Sequence, residues 1–243
     1  MIYNYLDFKK GECMKKFLIL LTMLLAIPVQ AEEVTITGIN MDNMWNKLGL
    51  REEKTYSVGA KILNANKIEK RVIYNVGNFN SVNACASYTN KTVTINKGTF
   101  KYIDNDDELA AILAHETAHV IDYYDGFGKA VAMTFNKKSY ENKADLLSVD
   151  YMVKAGYNPV AAITFLNKAG NESLLDWGIL WSHPKTSKRL FKIYKYIYVK
   201  YPKYLSSDMI KNINYVNWTY TAQKDINKFQ QKEKEKASKR GNL

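Results

Sequence analysis

The stretch LAAILAHETAHVIDYYDG, residues 109–126, constrains the fold more than any other part of the chain. Its first half is apolar on nearly every side, and a helix that is apolar all round has to be enclosed by other elements. Asn105 followed three residues later by Glu108 is a capping-box-like start, and Asp125-Gly126 is a stop. The pattern predicts a central helix ending at about Tyr123. Yet this enclosed helix carries His115, Glu116 and His119, and buried polar groups need partners.

The spacing suggests what those partners are. Residues four apart on a helix lie about 40° apart on one face, one turn separated. Two imidazoles placed like this can bind one metal ion. Glu116 projects beside them, able to reach a water on the metal without being a ligand. This is the HExxH arrangement, in which zinc acidifies the water and the glutamate takes its proton. Zinc in such sites has a third protein ligand and one open position. Downstream, SYENKADLLSVDY offers Glu141 and Asp145, again at i and i+4 on one helical face. Glu141 could complete a His2Glu set. Asp145 could accept the outer N–H of a ligating histidine and hold its ring. The plainer alternative makes both of them surface acids on an amphipathic helix. Histidine usage favours the metal: the chain has three histidines, His115, His119 and His183, the last in WSHPKTSKR.

The surrounding pattern reads as α+β, mostly helical, with a small β-sheet before the central helix. RVIYNV, VNACAS and KTVTIN read as short strands, and KTVTIN has the period-2 alternation of a half-exposed one. Residues 32–56 carry a mixed signal, a short strand and a helix around Met44 to Leu50, and the signal from Val58 to Lys70 is weak. A second helix spans roughly Lys138 to Lys154. Asn158-Pro159 opens a third, which Gly170 closes. In RLFKIYKYIYVKY, Leu190, Ile193, Tyr194, Ile197 and Tyr201 share one helical face, so this segment packs on a core with a solvated basic side.

MKKFLILLTMLLAIPVQA, beginning at Met14, has a two-lysine head, an apolar run from Phe17 to Ile27 and small residues suited to cleavage after Ala31. It reads as a secretory signal peptide with Met14 a candidate true start, since the apolar run is about half of the ~20 residues a spanning helix needs. The expected product is exported, most simply to a periplasm, with no lipid anchor. Without residues 1–31 the chain keeps 31 basic and 22 acidic residues and one cysteine, Cys85. One cysteine cannot staple a fold, so packing and metal must stabilise it. Cys85 reads as a small buried strand residue, a reactive thiol being the alternative. Domain boundaries follow: residues 32–221 as one domain, and 222–243 as a basic tail, a frayed helix or flexible. Basic residues interleaved with tyrosine between Lys185 and Lys203 can signify nucleic acid. Export disfavours that, leaving peripheral contact with an anionic membrane or envelope surface as the more available partnership.

Four segments then occur in a familiar order: ELAAILAHETAHVID, ENKAD, GYNPVAA and HPKTSKR. They resemble the HExxH, ExxAD, GY[DN]PxAA and HPxTxxR motifs of HtpX-like and CAAX-prenyl-protease-type zinc metallopeptidases. VNACAS followed by INKGTF is similar to that family's strand region, and the likeness covers about residues 58–195. The resemblance implies one zinc held by His115, His119 and Glu141, with Glu116 as general base. It also implies a role near the metal for His183 and Arg189. His183 would stabilise an oxyanion or cap the metal, and Arg189 would pair with Asp145 or lie on the surface. Asn83 and Ala84 match the edge strand along which an extended polypeptide substrate would be laid. The chain departs from many relatives in having only 21 residues between His119 and Glu141, a shorter spacing from which a membrane-spanning or lid segment is missing. The expectation is a minimal exported zinc endopeptidase. A zinc-stabilised envelope chaperone with latent proteolysis is the alternative.

Overall fold

The computed structural model describes residues 49–171, 186–206 and 208–241. In chain order the elements are α1 (Leu50–Ala65), β1 (Ile73–Gly77), β2 (Ala84–Ala86), β3 (Thr92–Asn96), a 3-10 helix (Lys97–Tyr102) and α2 (Asp106–Tyr123). After these come α3 (Phe127–Phe135), α4 (Lys137–Lys154), α5 (Ala161–Asn171), α6 (Thr186–Lys200), two short 3-10 segments and α7 (Ile213–Gly241). The architecture is α+β and mostly helical, with the sheet preceding the central helix, as the sequence pattern implies.

α2 is the axis of the fold because its sequence leaves it no solvent face. Leu109, Ala110, Leu113, Ala114 and Val120 are fully buried, and α1, α4, α5 and the sheet all pack on it. Its start is capped as expected: Asn105 Oδ1 accepts the Glu108 N–H at 3.0 Å. The Glu108 carboxylate reaches back to the Asp104 N–H at 2.8 Å, one residue before the cap. That carboxylate is completely buried. It also accepts hydrogen bonds from Thr164 Oγ1 at 2.8 Å and Lys168 Nζ at 2.7 Å, tying the first turn of α2 to α5.

The three strands lie in the order β1-β3-β2, with β1 parallel and β2 antiparallel to the central β3. Val93 and Ile95 are the buried half of the alternation in β3. β2 is therefore an edge strand. Cys85 is exposed there, not buried as its residue type suggested. The reason is the two-residue period: Ala84 turns to the core, and its neighbour must face the other way.

Two helices lie outside the sequence expectation. α1 occupies the region where the signal was weak. Its inward stripe is Thr55, Val58, Gly59 and Ile62, so half of its buried face is not strongly apolar. Gly59 is there because the Tyr74 ring from β1 lies against it: a Cβ at this position would sit 2.4 Å from the ring. α3, between α2 and α4, was also not anticipated. By contrast α4 and α6 fall where predicted, and Leu190, Ile193, Tyr194 and Ile197 are all buried on the expected face of α6. α5 runs through Gly170, which does not close it, to Asn171. The boundary at residue 221 falls inside α7, a single helix whose Phe229 packs on Phe191 and whose Gln230 donates to the Tyr194 hydroxyl at 2.7 Å. The signal-like segment and His183 lie outside the described residues. Among the described residues, no helix is long and apolar enough to cross a membrane.

Candidate metal centre

α2 and α4 run against each other, and their polar residues meet at one point. His115 and His119, one turn apart on α2, hold their rings edge to face with centroids 4.8 Å apart. Glu141, from the first turns of α4, faces both. His115 Nε2 to Glu141 Oε2 is 3.3 Å, His119 Nε2 to Glu141 Oε1 is 3.3 Å, and the two Nε2 atoms are 3.2 Å apart. All three residues are buried. Two nitrogen donors and a carboxylate are the donor set zinc takes. With zinc–ligand bonds of 2.0–2.1 Å, the edges of a tetrahedron are about 3.3 Å long. The two Nε2 atoms stand one such edge apart, and each faces a different oxygen of Glu141 at the same distance, so the residues present fit a zinc ion held between them.

A second layer holds His115 in place. Its Nδ1 lies 3.1 Å from Asp145 Oδ1, one turn along α4 from Glu141. Asp145 is in turn gripped by Arg189 of α6, Nε to Oδ2 at 2.9 Å and a terminal nitrogen to Oδ1 at 2.6 Å. Asp145 and Arg189 are both almost entirely buried. The alternatives left open by the sequence, surface acids on α4 and a surface arginine on α6, do not describe this arrangement. Burial alone would raise the Asp145 pKa, but hydrogen bonds from His115 and Arg189 outweigh it and hold the carboxyl well below its usual range. Burial disfavours the charged form of His115, yet its hydrogen bonds to Asp145 and Glu141 prevail and push it up to about 9 in the metal-free chain. Below that value both ring nitrogens carry protons, Nδ1 facing Asp145 and Nε2 facing Glu141 and His119.

The helix that carries these histidines is fixed from behind. Thr117, between Glu116 and His119, donates its hydroxyl to the Leu113 carbonyl at 2.6 Å. The Tyr74 hydroxyl lies 2.8 Å from Thr117 Oγ1. Since that Oγ1 already gives its proton to Leu113, Tyr74 is the donor. Burial pushes the Tyr74 phenol up to about 12, which keeps the proton on it.

Glu116 is buried beside His115, and both line a pocket whose walls include Ala84 of β2. The strand register assigns the edge residues. Asn83 O accepts from Asn96 N, its N–H reaches Thr99 Oγ1, and Ser87 N bonds to Thr92 O. Residues 83, 85 and 87 therefore face β3. The outward backbone groups belong to Ala84 and Ala86. Of the pair Asn83 and Ala84, only Ala84 turns its backbone away from β3, to a side on which no strand pairs among the described residues. Ala86 went unnoticed because register is a property of the partner strand. His183 cannot be placed, since it lies outside the described residues.

A family model, Peptidase family M48, matches residues 50–123 and 125–197. No match was found among curated proteins.

Proposed function

The chain belongs to peptidase family M48, and from that premise we propose that it is a zinc-dependent endopeptidase acting on extended stretches of polypeptide. The observation that carries the reading is the meeting of His115 Nε2 and His119 Nε2, 3.2 Å apart, with the Glu141 carboxylate, which sets one oxygen 3.3 Å from each, and with Glu116 buried next to them. These three residues would hold the ion. When bound, zinc supplies Lewis acidity and brings the pKa of a water to about 7. Glu116 accepts a proton from the attacking water on its carboxylate and returns it to the leaving amine nitrogen. Asp145 and Arg189 keep His115 turned so that Nε2, not Nδ1, meets the metal. Ala84 and Ala86 offer N–H and C=O groups to the backbone of a peptide laid along β2, which binds an extended segment without demanding a side-chain sequence.

The signal-like segment from Met14 to Ala31 supports an exported enzyme whose substrates are exported or envelope proteins, unfolded ones included. The lysines of α6 and α7 supply a basic surface for anionic envelope material. His183 is assigned a place near the metal on the strength of the HPKTSKR motif alone.

The test is metal analysis combined with two substitutions. The full chain should carry about one zinc, and Glu141→Ala should lose most of it. Glu116→Gln should retain the zinc and lose hydrolysis of an unfolded protein substrate. Cleavage by Glu116→Gln at the wild-type rate would overturn the reading.

A further inference from the structure

α3 does more than join the two helices that carry the metal ligands. Its sequence, FGKAVAMTF, has one charged residue in nine. At about 100° per residue, Phe127, Val131 and Phe135 fall within about 80° of arc, with Gly128 and Ala132 at its margin. Phe127 is 71% exposed and Phe135 87%. Gly128 and Ala132 are exposed as well, and Val131 is half-buried. α3 packs on α2 and α4, so the residues it turns outward are all apolar. A helix on a protein surface ordinarily turns polar residues to water. Isolated exposed apolar residues are common, but a contiguous apolar face marks a contact.

The charge around this face identifies the contact. Residues 126–140 contain three lysines and no acid. Lys129 is held by Asp125 at 3.1 Å, but Lys137 and Lys138, in the first turn of α4, are exposed just beyond Phe135. At the other end, exposed Lys70 lies within electrostatic reach of Asp125, two residues before Phe127. An apolar face between lysines is the pattern of a helix lying in a membrane interface. A second copy of the chain fits less well. A nine-residue helix is about 14 Å long, and one face of it falls well short of the ~800 Å² that each partner of a stable dimer covers. A second copy would also bring its own lysines against these. Lipid binding has no such threshold, because it grows with the apolar area inserted and the charge that meets anionic headgroups.

We propose that α3 is an interfacial helix by which the folded chain docks on an anionic lipid surface. Phe127, Val131 and Phe135 enter the headgroup boundary, and Lys137 and Lys138 meet lipid phosphates. Phe127 also touches Tyr88 edge-on, with ring centroids 6.3 Å apart, and Tyr88 follows the edge strand β2 by two residues. Docking through α3 therefore sets the end of β2 near the lipid. The docking stands or falls independently of the zinc reading.

The experiment uses the full chain. The apolar segment from Phe17 to Ile27 binds lipid by its composition alone, so the readout is confined to α3. Phe135→Trp carries the reporter, and its emission is read as the difference from the wild-type chain. With vesicles of phosphatidylglycerol in phosphatidylcholine, the difference spectrum should shift to the blue and be quenched by brominated lipid. Vesicles of phosphatidylcholine alone should give a much weaker response. In the reporter background, Phe127→Ser should weaken partition roughly tenfold or more through the apolar area it withholds. Lys137→Glu together with Lys138→Glu should also weaken it roughly tenfold or more. Circular dichroism establishes that each variant is folded. An unshifted, unquenched reporter overturns the proposal, as does a response that neither set of substitutions diminishes. An equal response on phosphatidylcholine alone overturns it too. So does a dimer in sedimentation velocity that depends on Phe127 and Phe135 and forms in place of vesicle binding.

Discussion

Arg189 grips both carboxylate oxygens of Asp145, at 2.9 and 2.6 Å, from a helix 44 residues further along the chain. The same carboxylate holds Nδ1 of His115. One guanidinium thus sets the orientation of a candidate metal ligand that it does not touch.

Removing that grip should cost both stability and metal affinity. Arg189→Ala takes the guanidinium from the buried Asp145 charge and leaves it only His115, a loss of about 3 kcal/mol, the lower end of the range for breaking a buried ion pair, in a denaturant titration. Zinc affinity, measured by chelator competition, should fall roughly 10–100-fold, as it does when groups behind a ligand are lost. Arg189→Lys should recover only part of either, because an ammonium cannot engage both oxygens in parallel. Unchanged zinc affinity in folded Arg189→Ala would remove the guanidinium from this role.

Protonation of His115 gives the metal-free chain a defined pH dependence. Its pKa is raised from 6.5 to about 9, above its value in an unfolded chain. The stabilisation is therefore fully present below about pH 6.5 and is lost as pH rises through about 9. Thermal unfolding of chelator-treated protein should show this decline. Zinc requires neutral histidine ligands, so uptake at pH 7 should release a proton from His115. Calorimetry in buffers of different ionisation enthalpy measures that release. Buffer-independent heats would contradict it.

The contact between Gly59 and Tyr74 should tolerate nothing larger. Gly59→Ala places a methyl carbon 2.4 Å from the ring, and overpacking of this kind costs about 1–3 kcal/mol. Tyr74→Phe keeps the ring and removes the donor to Thr117, for about 0.5–1.5 kcal/mol. Equilibrium unfolding of the two variants checks both, with the glycine variant expected to be the less stable.

Lys168 should matter well beyond an ordinary surface lysine. It neutralises Glu108, whose side chain is fully buried at the start of α2. Lys168→Met should cost about 3–5 kcal/mol, the range for orphaning a buried charge. Thr164 and the Asp104 N–H still bond to the carboxylate and place the expected loss at the lower end. A cost indistinguishable from zero would mean that these two bonds suffice.

The residues that could be read from sequence are those whose role is set within one turn or one strand. His115, Glu116 and His119 are a local pattern, since a helix puts i and i+4 side by side whatever surrounds it. The Asn105 cap, the alternation in β3 and the buried face of α6 are local in the same sense. Other features were determined only by the tertiary structure. α1 was obscure because Thr55 and Gly59 sit in its buried stripe, and Gly59 makes sense only once Tyr74 is against it. Cys85 was misjudged because residue type does not reveal which face of an edge strand is covered. The choice between ligand and surface acid for Glu141, and between ion pair and free arginine for Arg189, depended on how α4 and α6 dock on α2. That docking is made by apolar contacts across many residues and leaves no local period in the chain. The sequence by itself determined a central helix able to chelate a metal. Only packing decided that an acid from α4, an arginine from α6 and an apolar pocket would converge on it, because the contacts that bring them together are long-range.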